Sequence, residues 1–340
     1  MFYNYLIMFA VTFINVGYGD AILLELGEGK QTFRMLVDGG VNDPHHFLDH
    51  PQRISAYDFL RSQGIEQLDL LVITHLHEDH VTGLLPVAEN LSIKECWSNF
   101  LPEDNLSLSP LPLPSLAPES TQKLNRSIQV FDRILRALRR QGTDIREISR
   151  IELDRSLTIG TTVDLLPGLP NLLEQQRSLI STAVSSTNAL ERIEALIQLD
   201  SIINLTSLVL RIRSHGTAVL LGGDVYASYW DSILPLGIDV SADLLKLPHH
   251  GHGDSASFSF AQAVRPAHVV VCVSNDRVDN CPNPDILSLF ATSTIHFTDS
   301  VWLPPYTNGR EERKALVFTA REGKTFRIDS IPHPVNFRRK

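Results

Sequence analysis

The stretch Leu68-Asp69-Leu70-Leu71-Val72-Ile73-Thr74-His75-Leu76-His77-Glu78-Asp79-His80 decides how this chain is read. Its first half is an apolar run of strand length, the pattern of a fully buried strand. Its second half puts three histidines and an aspartate into six positions directly past the strand's end. Neutral imidazole nitrogens and carboxylates are what a zinc-type cation takes as ligands. His75 and His77, two residues apart, face the same way only in an extended or looped segment. Asp79 and His80 then project toward a neighbouring point. One loop thus offers two adjacent metal positions, His75/His77 and Asp79/His80.

Strand and turn signals surround this loop. Residues 9–16 are rich in β-branched and aromatic residues and stop at Gly17; residues 20–26 follow, then the turn Gly27-Glu28-Gly29-Lys30 and a third strand at 33–37. Residues 54–63 read as a helix with Ser55 near its start and Gly64 as its stop, and residues 82–87 as a short helix. Residues 101–120 carry Pro102, Pro110, Pro112, Pro114 and Pro118, which argues for an extended loop or lid. Residues 122–141 read as a helix with Arg133, Arg136, Arg139 and Arg140 on its exposed side, and residues 171–199 as one long helical region. Strands are expected at 151–166 with a turn at Gly160, and at 205–212 and 218–221 around Ser214-His215-Gly216. Further strands are expected at 244–247, 268–273, 295–298, 315–319 and 325–328, with a helix at 284–291. Two batches of strands, each with helices, suggest two packed sheets with helices outside.

The quoted loop, His75-x-His77-x-Asp79-His80, resembles the signature of the metallo-β-lactamase superfamily. Phe13-Ile14-Asn15-Val16-Gly17-Tyr18-Gly19-Asp20-Ala21, Val37-Asp38-Gly39-Gly40, Gly223-Asp224 and Leu245-Lys246-Leu247-Pro248-His249-His250-Gly251 follow in matching order. Together they resemble the hydrolase domain of the ComEC/Rec2 DNA-uptake proteins and their stand-alone relatives. The resemblance runs from about residue 9 to residue 297 and is interrupted between about 101 and 203. It implies an α/β fold, a four-layer αββα sandwich, over a single domain of residues 1–340 with a helical and Pro-rich insertion at 101–200. It also implies two divalent ions, zinc or manganese, held by His75, His77, Asp79 and His80.

In such relatives an aspartate at the end of a later strand bridges both ions, a role that falls on Asp224. Of His249 and His250, one is expected to ligate metal and the other to contact substrate or donate a proton; the sequence leaves the assignment open. Asp38 is expected to orient a ligand histidine by hydrogen bonding, with Gly39 and Gly40 allowing a tight turn beneath it. Asp20 is expected to support its hairpin first and to touch the site second. Many members place another histidine ligand between the first cluster and the bridging aspartate. Here only His215 stands there, in a turn at the far end of the strand from Asp224, so the His75/His77 metal is expected to have fewer protein ligands.

A hydroxide between two such ions is a strong nucleophile at neutral pH. The expected activity is therefore metal-dependent hydrolysis, first of phosphodiesters in a nucleic acid or nucleotide, with Asp79, His249 and His250 as the catalytic set. Two other readings are a lactone, thioester or amide hydrolase with residues 101–120 as an apolar lid, and a non-catalytic metal-binding regulatory protein. The 101–200 insertion is a candidate surface for a protein partner.

Composition narrows the classes. Of 340 residues, 43 % are hydrophobic and 20 % charged, which suits an ordinary globular protein. The net charge of -9 does not advertise broad nucleic-acid affinity. Cys96, Cys272 and Cys281 are too few and too widely spaced for a disulfide framework. They are expected to be reduced, in a cytoplasmic protein. The first 16 residues lack the basic start and small-residue cleavage site of a signal peptide, and no apolar run reaches the roughly 20 residues a membrane span needs.

Overall fold

The computed structural model describes residues 8–27, 32–103, 106, 108, 112–276, 281–321 and 325–332. Residues 28–30 of the first glycine turn, residues 1–7 of the N-terminus and Pro110 of the proline-rich stretch lie outside the described residues.

In the first sheet β1 (Met8–Ile14), β2 (Ile22–Leu26) and β3 (Phe33–Val37) form an antiparallel meander, continued in parallel by β4 (Gln67–Ile73), β5 (Ser92–Ser98) and β6 (Asp144–Glu147). The second sheet begins with antiparallel β7 (Glu152–Thr158), β8 (Thr161–Leu166), β9 (Val209–Ser214) and β10 (Thr217–Leu221). Parallel β11 (Leu244–Lys246), β12 (His268–Val271) and β13 (Thr294–Phe297) complete it. After the small hairpin of β14 (Trp302–Leu303) and β15 (Thr307–Asn308), β16 (Arg313–Arg321) and β17 (Arg327–Pro332) rejoin the first sheet beside β1.

Side chains alternate between the faces of a strand, and this sorts the apolar residues into three cores. Phe13 and Ile22, Leu70 and Val72 meet Leu210, Ile212, Val219 and Val270 between the two sheets. The opposite face of the first sheet, with Leu23, Leu71 and Ile73, is covered by helices. Beyond the surface turn α1 (Pro44–Leu48), these are α2 (Ala56–Ser62), α3 (Glu78–Val81), α4 (Leu84–Asn90), α5 (Glu119–Arg140), α6 (Pro170–Ser185) and α7 (Ala189–Ile202). The outer face of the second sheet, with Val209, Leu220 and Leu245, is covered by α8 (Ala227–Ile233), α9 (Phe258–Val264) and α10 (Pro284–Ser288). Fully burying one such Leu, Val or Phe contributes roughly 1.5–3 kcal/mol, so three continuous cores stabilise four layers in the order αββα.

The structure adds to the sequence reading in three places. β5 was not foreseen because Lys94 and Glu95 interrupt its apolar pattern, and β6 because it is a short, polar edge strand, as edges tend to be. The region 171–199 is two helices; Asn188 caps the second by accepting from the Leu190 N–H. Residues 101–200 also supply β6 to the first sheet and β7 and β8 to the second. Among the described residues, no helix is long and apolar enough to cross a membrane.

The parallel strands β3, β4, β10, β11 and β12 bring their C-terminal ends to one rim of the sandwich. Asp38 follows β3, the histidine loop follows β4, Asp224 follows β10, and Lys246 ends β11 just before His249 and His250. Ligand sites of open α/β sheets collect at such carboxyl ends. The two sheets are tied together there by the Leu208 N–H, which donates 2.9 Å to the Thr74 carbonyl.

Candidate metal centre

The histidine loop is held by close backbone packing. Gly19, at φ +98°, lies so near the Asp79 carbonyl that an added Cβ would stand 1.7 Å from that oxygen. A Cβ on Gly83 would stand 1.9 Å from the Gly39 carbonyl. The Gly39 N–H donates 2.8 Å to the His80 carbonyl, and the Gly83 N–H 2.8 Å to that of Gly40. Only residues without a side chain let these three loops lie directly on one another. From the other side the Ser127 hydroxyl of α5 donates to the Leu76 carbonyl.

Asp38 is wholly buried, with a left-handed φ of +56°. It accepts the Thr74 N–H at 2.9 Å and the Thr74 hydroxyl at 2.7 Å, and it receives His80 Nδ1 at 2.8 Å. Burial raises its carboxyl pKa, against the lowering pull of His80 and Thr74. The Thr74 proton is spent on Asp38, so His75 Nδ1, 3.0 Å from the Thr74 oxygen, must be the donor there. His75 Nε2 is then a lone pair, buried and without a hydrogen-bond partner. Burial, followed by the nearby His80, lowers the His75 pKa well below its usual range and keeps the ring neutral. His250 is oriented alike: its Nδ1 faces the Cys272 carbonyl at 3.0 Å, and that carbonyl only accepts. In three histidines, therefore, Nδ1 is bound to an acceptor and Nε2 is left for something else, as metal-ligating histidines are arranged.

Four ligand atoms converge on one point. Asp79, His80, Asp224 and His250 each offer an atom within 4.8 Å of the others, and all four residues are buried. His80 Nε2 lies 3.1 Å from Asp224 Oδ2 and 3.6 Å from Asp79 Oδ2. His250 Nε2 lies 3.2 Å from each of those two oxygens. Tetrahedral zinc with bonds of 2.0–2.1 Å separates its ligand atoms by about 3.3 Å, so these spacings suit one shared cation. Without a cation, protons take its place. Burial disfavours the charged rings, yet Asp224 and Asp79 raise His80 well above its usual range, and Asp224 raises His250 to about 9. Burial likewise opposes charge on the two carboxylates, but His80 and His250 keep them ionised. Asp20, Asp38 and His80 form a second, adjoining group of possible ligands.

The structure separates the histidine pair. His250 enters the cluster. His249 stays outside it, with its ring centroid 6.5 Å from that of His250. Its Nδ1 lies 2.7 Å from Asp254 Oδ1, and its Nε2 faces the Asn204 amide at 3.3 Å. The rings of Tyr226 and His252 flank it at 5.0 and 4.4 Å. Both histidines have left-handed backbones, φ +46° and +50°, which turn their side chains apart. His75 and His77 belong to neither four- nor three-residue group. The His75 ring lies 4.2 Å from His80 and 5.0 Å from His77, while His77 Nε2 faces Asp200 Oδ1 at 3.2 Å. His215 sits in its turn, also at positive φ, as expected. Cys96, Cys272 and Cys281 are buried, and none is in a disulfide with another of the three.

Sequence reasoning passed over Lys246, Asp254 and Asp200. Lys246 is fully buried, donates to the Gly223 carbonyl at 2.9 Å and to Asp224 Oδ1 at 3.1 Å, and pairs with Asp20. Burial works to discharge it, but Asp20 and Asp224 hold its pKa above the usual lysine range. A lysine amid Leu244, Leu245 and Leu247 was a usable signal, because a buried charge needs a partner. Asp254 and Asp200 carry no comparable mark in the sequence.

A rim of parallel-strand ends, a histidine-aspartate loop and a later strand-end aspartate together make a candidate divalent-metal centre. Residues 14–99 match the model of the Metallo-beta-lactamase superfamily. The chain is 22 % identical over 293 residues to ComE operon protein 3 of Bacillus subtilis (strain 168), a match covering 84 % of this chain and 31 % of that protein. It thus spans about a third of that relative's length. Among solved structures it is similar to the metallo-beta-lactamase fold protein YhfI from Bacillus subtilis. That match has a TM-score of 0.42 at 14 % identity and covers 85 % of this chain and 95 % of that one. It is also similar to a diphosphatase from the PhnP family, with a TM-score of 0.41 at 12 % identity, covering 92 % of this chain and 99 % of that one.

Proposed function

We propose that this chain is a metal-dependent hydrolase acting on phosphodiesters, with Asp79, His80, Asp224 and His250 holding a divalent cation, zinc or manganese. The observation that carries this reading is the convergence of four buried ligand atoms at tetrahedral spacing beside an Asp254–His249 pair. A divalent cation bound there lowers the pKa of a water molecule and offsets negative charge gathering on a phosphoryl oxygen.

The residues of the chain perform the rest. Asp38 fixes the His80 ring through Nδ1, and the Cys272 carbonyl fixes that of His250. Lys246 binds one oxygen of Asp224 and turns the other toward His80 and His250. His249, held through Nδ1 by Asp254, has Nε2 at the edge of the cluster accepting from the Asn204 amide; a proton taken up at Nε2 in place of that contact can pass to a departing alkoxide. An alkoxide is a poor leaving group unless protonated, which supports a phosphodiester over an activated ester. The resemblance of its motifs to those of the ComEC/Rec2 DNA-uptake proteins supports a nucleic acid or nucleotide as substrate. Arg133, Arg136, Arg139 and Arg140 line a concavity on α5 together with Glu89, with Arg133 paired to Glu89 and Arg136 to Asp132.

The test is hydrolysis of bis-p-nitrophenyl phosphate by protein reconstituted with zinc or manganese, with Asp224→Asn alongside. Metal-dependent turnover lost in the variant is expected. Turnover of lactones or thioesters alone would replace this reading with the carbonyl one, and bound metal with no turnover of either would replace it with a non-catalytic role.

A further inference from the structure

We propose that Asp200, at the C-terminal end of α7, is a protein ligand to a second divalent cation held with His75 and His77. This rests on the first cation site described above. It assigns the place where the chain has no further histidine between its first cluster and Asp224 apart from the distant His215.

Three observations lead to Asp200. His75 Nε2 is a buried lone pair with no hydrogen-bond partner, its tautomer set by Thr74 and Asp38. A buried acceptor without a donor is destabilising, and a cation removes that cost. His77 Nε2 lies 3.2 Å from Asp200 Oδ1, close to the roughly 3.3 Å separating two ligand atoms on one tetrahedral cation. Asp200 also stands in the last turn of a 14-residue helix, where the exposed carbonyls already make the potential negative. That turn contains no basic residue. An aspartate at this place disfavours the helix by itself and favours a cation beside it.

The ligand comes from the stretch, about residues 101–203, over which the motif resemblance is interrupted. α7 packs against α6 and α5, and α5 in turn holds the histidine loop through Ser127. Cation binding at His75, His77 and Asp200 would therefore join the 101–200 segment to the catalytic rim. The first site, by contrast, draws on the rim loops alone.

The test is the amount of zinc retained after equilibrium dialysis, with the affinity of each site read by chelator competition. Wild type is compared with Asp200→Asn, Asp200→Ala and Asp79→Asn. Asp200 is partly exposed and Asn keeps its shape, so the variant is expected to fold, as circular dichroism would check. Wild type is expected to hold two zinc ions. Asp200→Asn should weaken one of them by at least about tenfold, comparable to losses of supporting ligands, and leave the other unchanged; Asp79→Asn should affect the other first. Two ions held with unchanged affinities in both Asp200 variants would overturn the proposal. So would a single ion that only Asp79→Asn removes, which leaves the first site standing. A wild-type protein that binds no zinc or manganese would overturn both readings.

Discussion

Lys246 Nζ lies 3.1 Å from Asp224 Oδ1, and both side chains are buried at the rim where the two sheets meet. A permanent ammonium thus sits directly behind a candidate metal ligand and also pairs with Asp20. Removing one partner of a buried pair leaves the other charge uncompensated, at a cost of about 3–5 kcal/mol. Lys246→Met is expected to lower the melting temperature of metal-free protein by many degrees. Added zinc should recover more stability in the variant than in wild type, because the cation then neutralises Asp224 and Asp20. Thermal unfolding with and without zinc measures this, and equal zinc-induced shifts in both proteins would argue against it.

The metal-free protein should lose stability as pH rises from about 6.5 to 9. His250 has its pKa raised to about 9 in the folded state, against about 6.5 when unfolded. A raised pKa contributes stability that is complete below the unfolded value and disappears as pH climbs through the folded one. Zinc competes with that proton, so apparent zinc affinity should increase over the same interval. Denaturant titrations in chelator at pH 6, 7.5 and 9 test the first statement; a His250→Asn variant should flatten the slope. A wild-type stability that is level across this range would contradict the assignment.

Replacing His249 by Ala, or Asp254 by Asn, should separate leaving groups. p-Nitrophenolate departs without a proton, whereas the alkoxide of a dinucleotide needs one. The variants should turn over bis-p-nitrophenyl phosphate within a few-fold of wild type yet lose about 10²–10⁴ in kcat on a dinucleotide, the usual range for general acid catalysis. Zinc content should not change, since His249 lies outside the cluster. Equal losses on both substrates would point to a role other than proton donation.

Gly19→Ala should be among the more damaging small substitutions in the chain. Its Cβ would fall 1.7 Å from the Asp79 carbonyl, at a backbone angle that side chains disfavour. Overpacking of this kind costs roughly 1–3 kcal/mol, and the displaced Asp79 should bind zinc more weakly. Gly64→Ala is the control: Gly64 shares a positive φ, but its added methyl meets nothing within 4 Å. Similar zinc affinity in both variants would show that the contact with Asp79 does not matter.

Local chemistry alone made much of this protein legible. The apolar run before Thr74 reads as a buried strand, which β4 is, and four metal-type residues just beyond it mark a candidate site. Asp224 was readable for the same reason, as a carboxylate directly after an apolar strand. β5 and β6 were less legible, because edge and half-buried strands carry charges that mask their period, and the break at Asn188 was hidden inside a continuous helical composition.

What the sequence by itself determined, then, was the set of chemical groups and the strand ends that carry them. What only the tertiary structure decided was which groups meet. The choice between His249 and His250 turned on their two left-handed backbone angles and on the groups they then meet, Asp254 for one and the Cys272 carbonyl, 22 residues away, for the other. Lys246 and Asp200 reach the rim only because parallel strands and a distant helix end there. Their charges acquire meaning from neighbours 22 and 123 residues away, Asp224 and His77, through contacts that chain folding, and no periodicity, brings about.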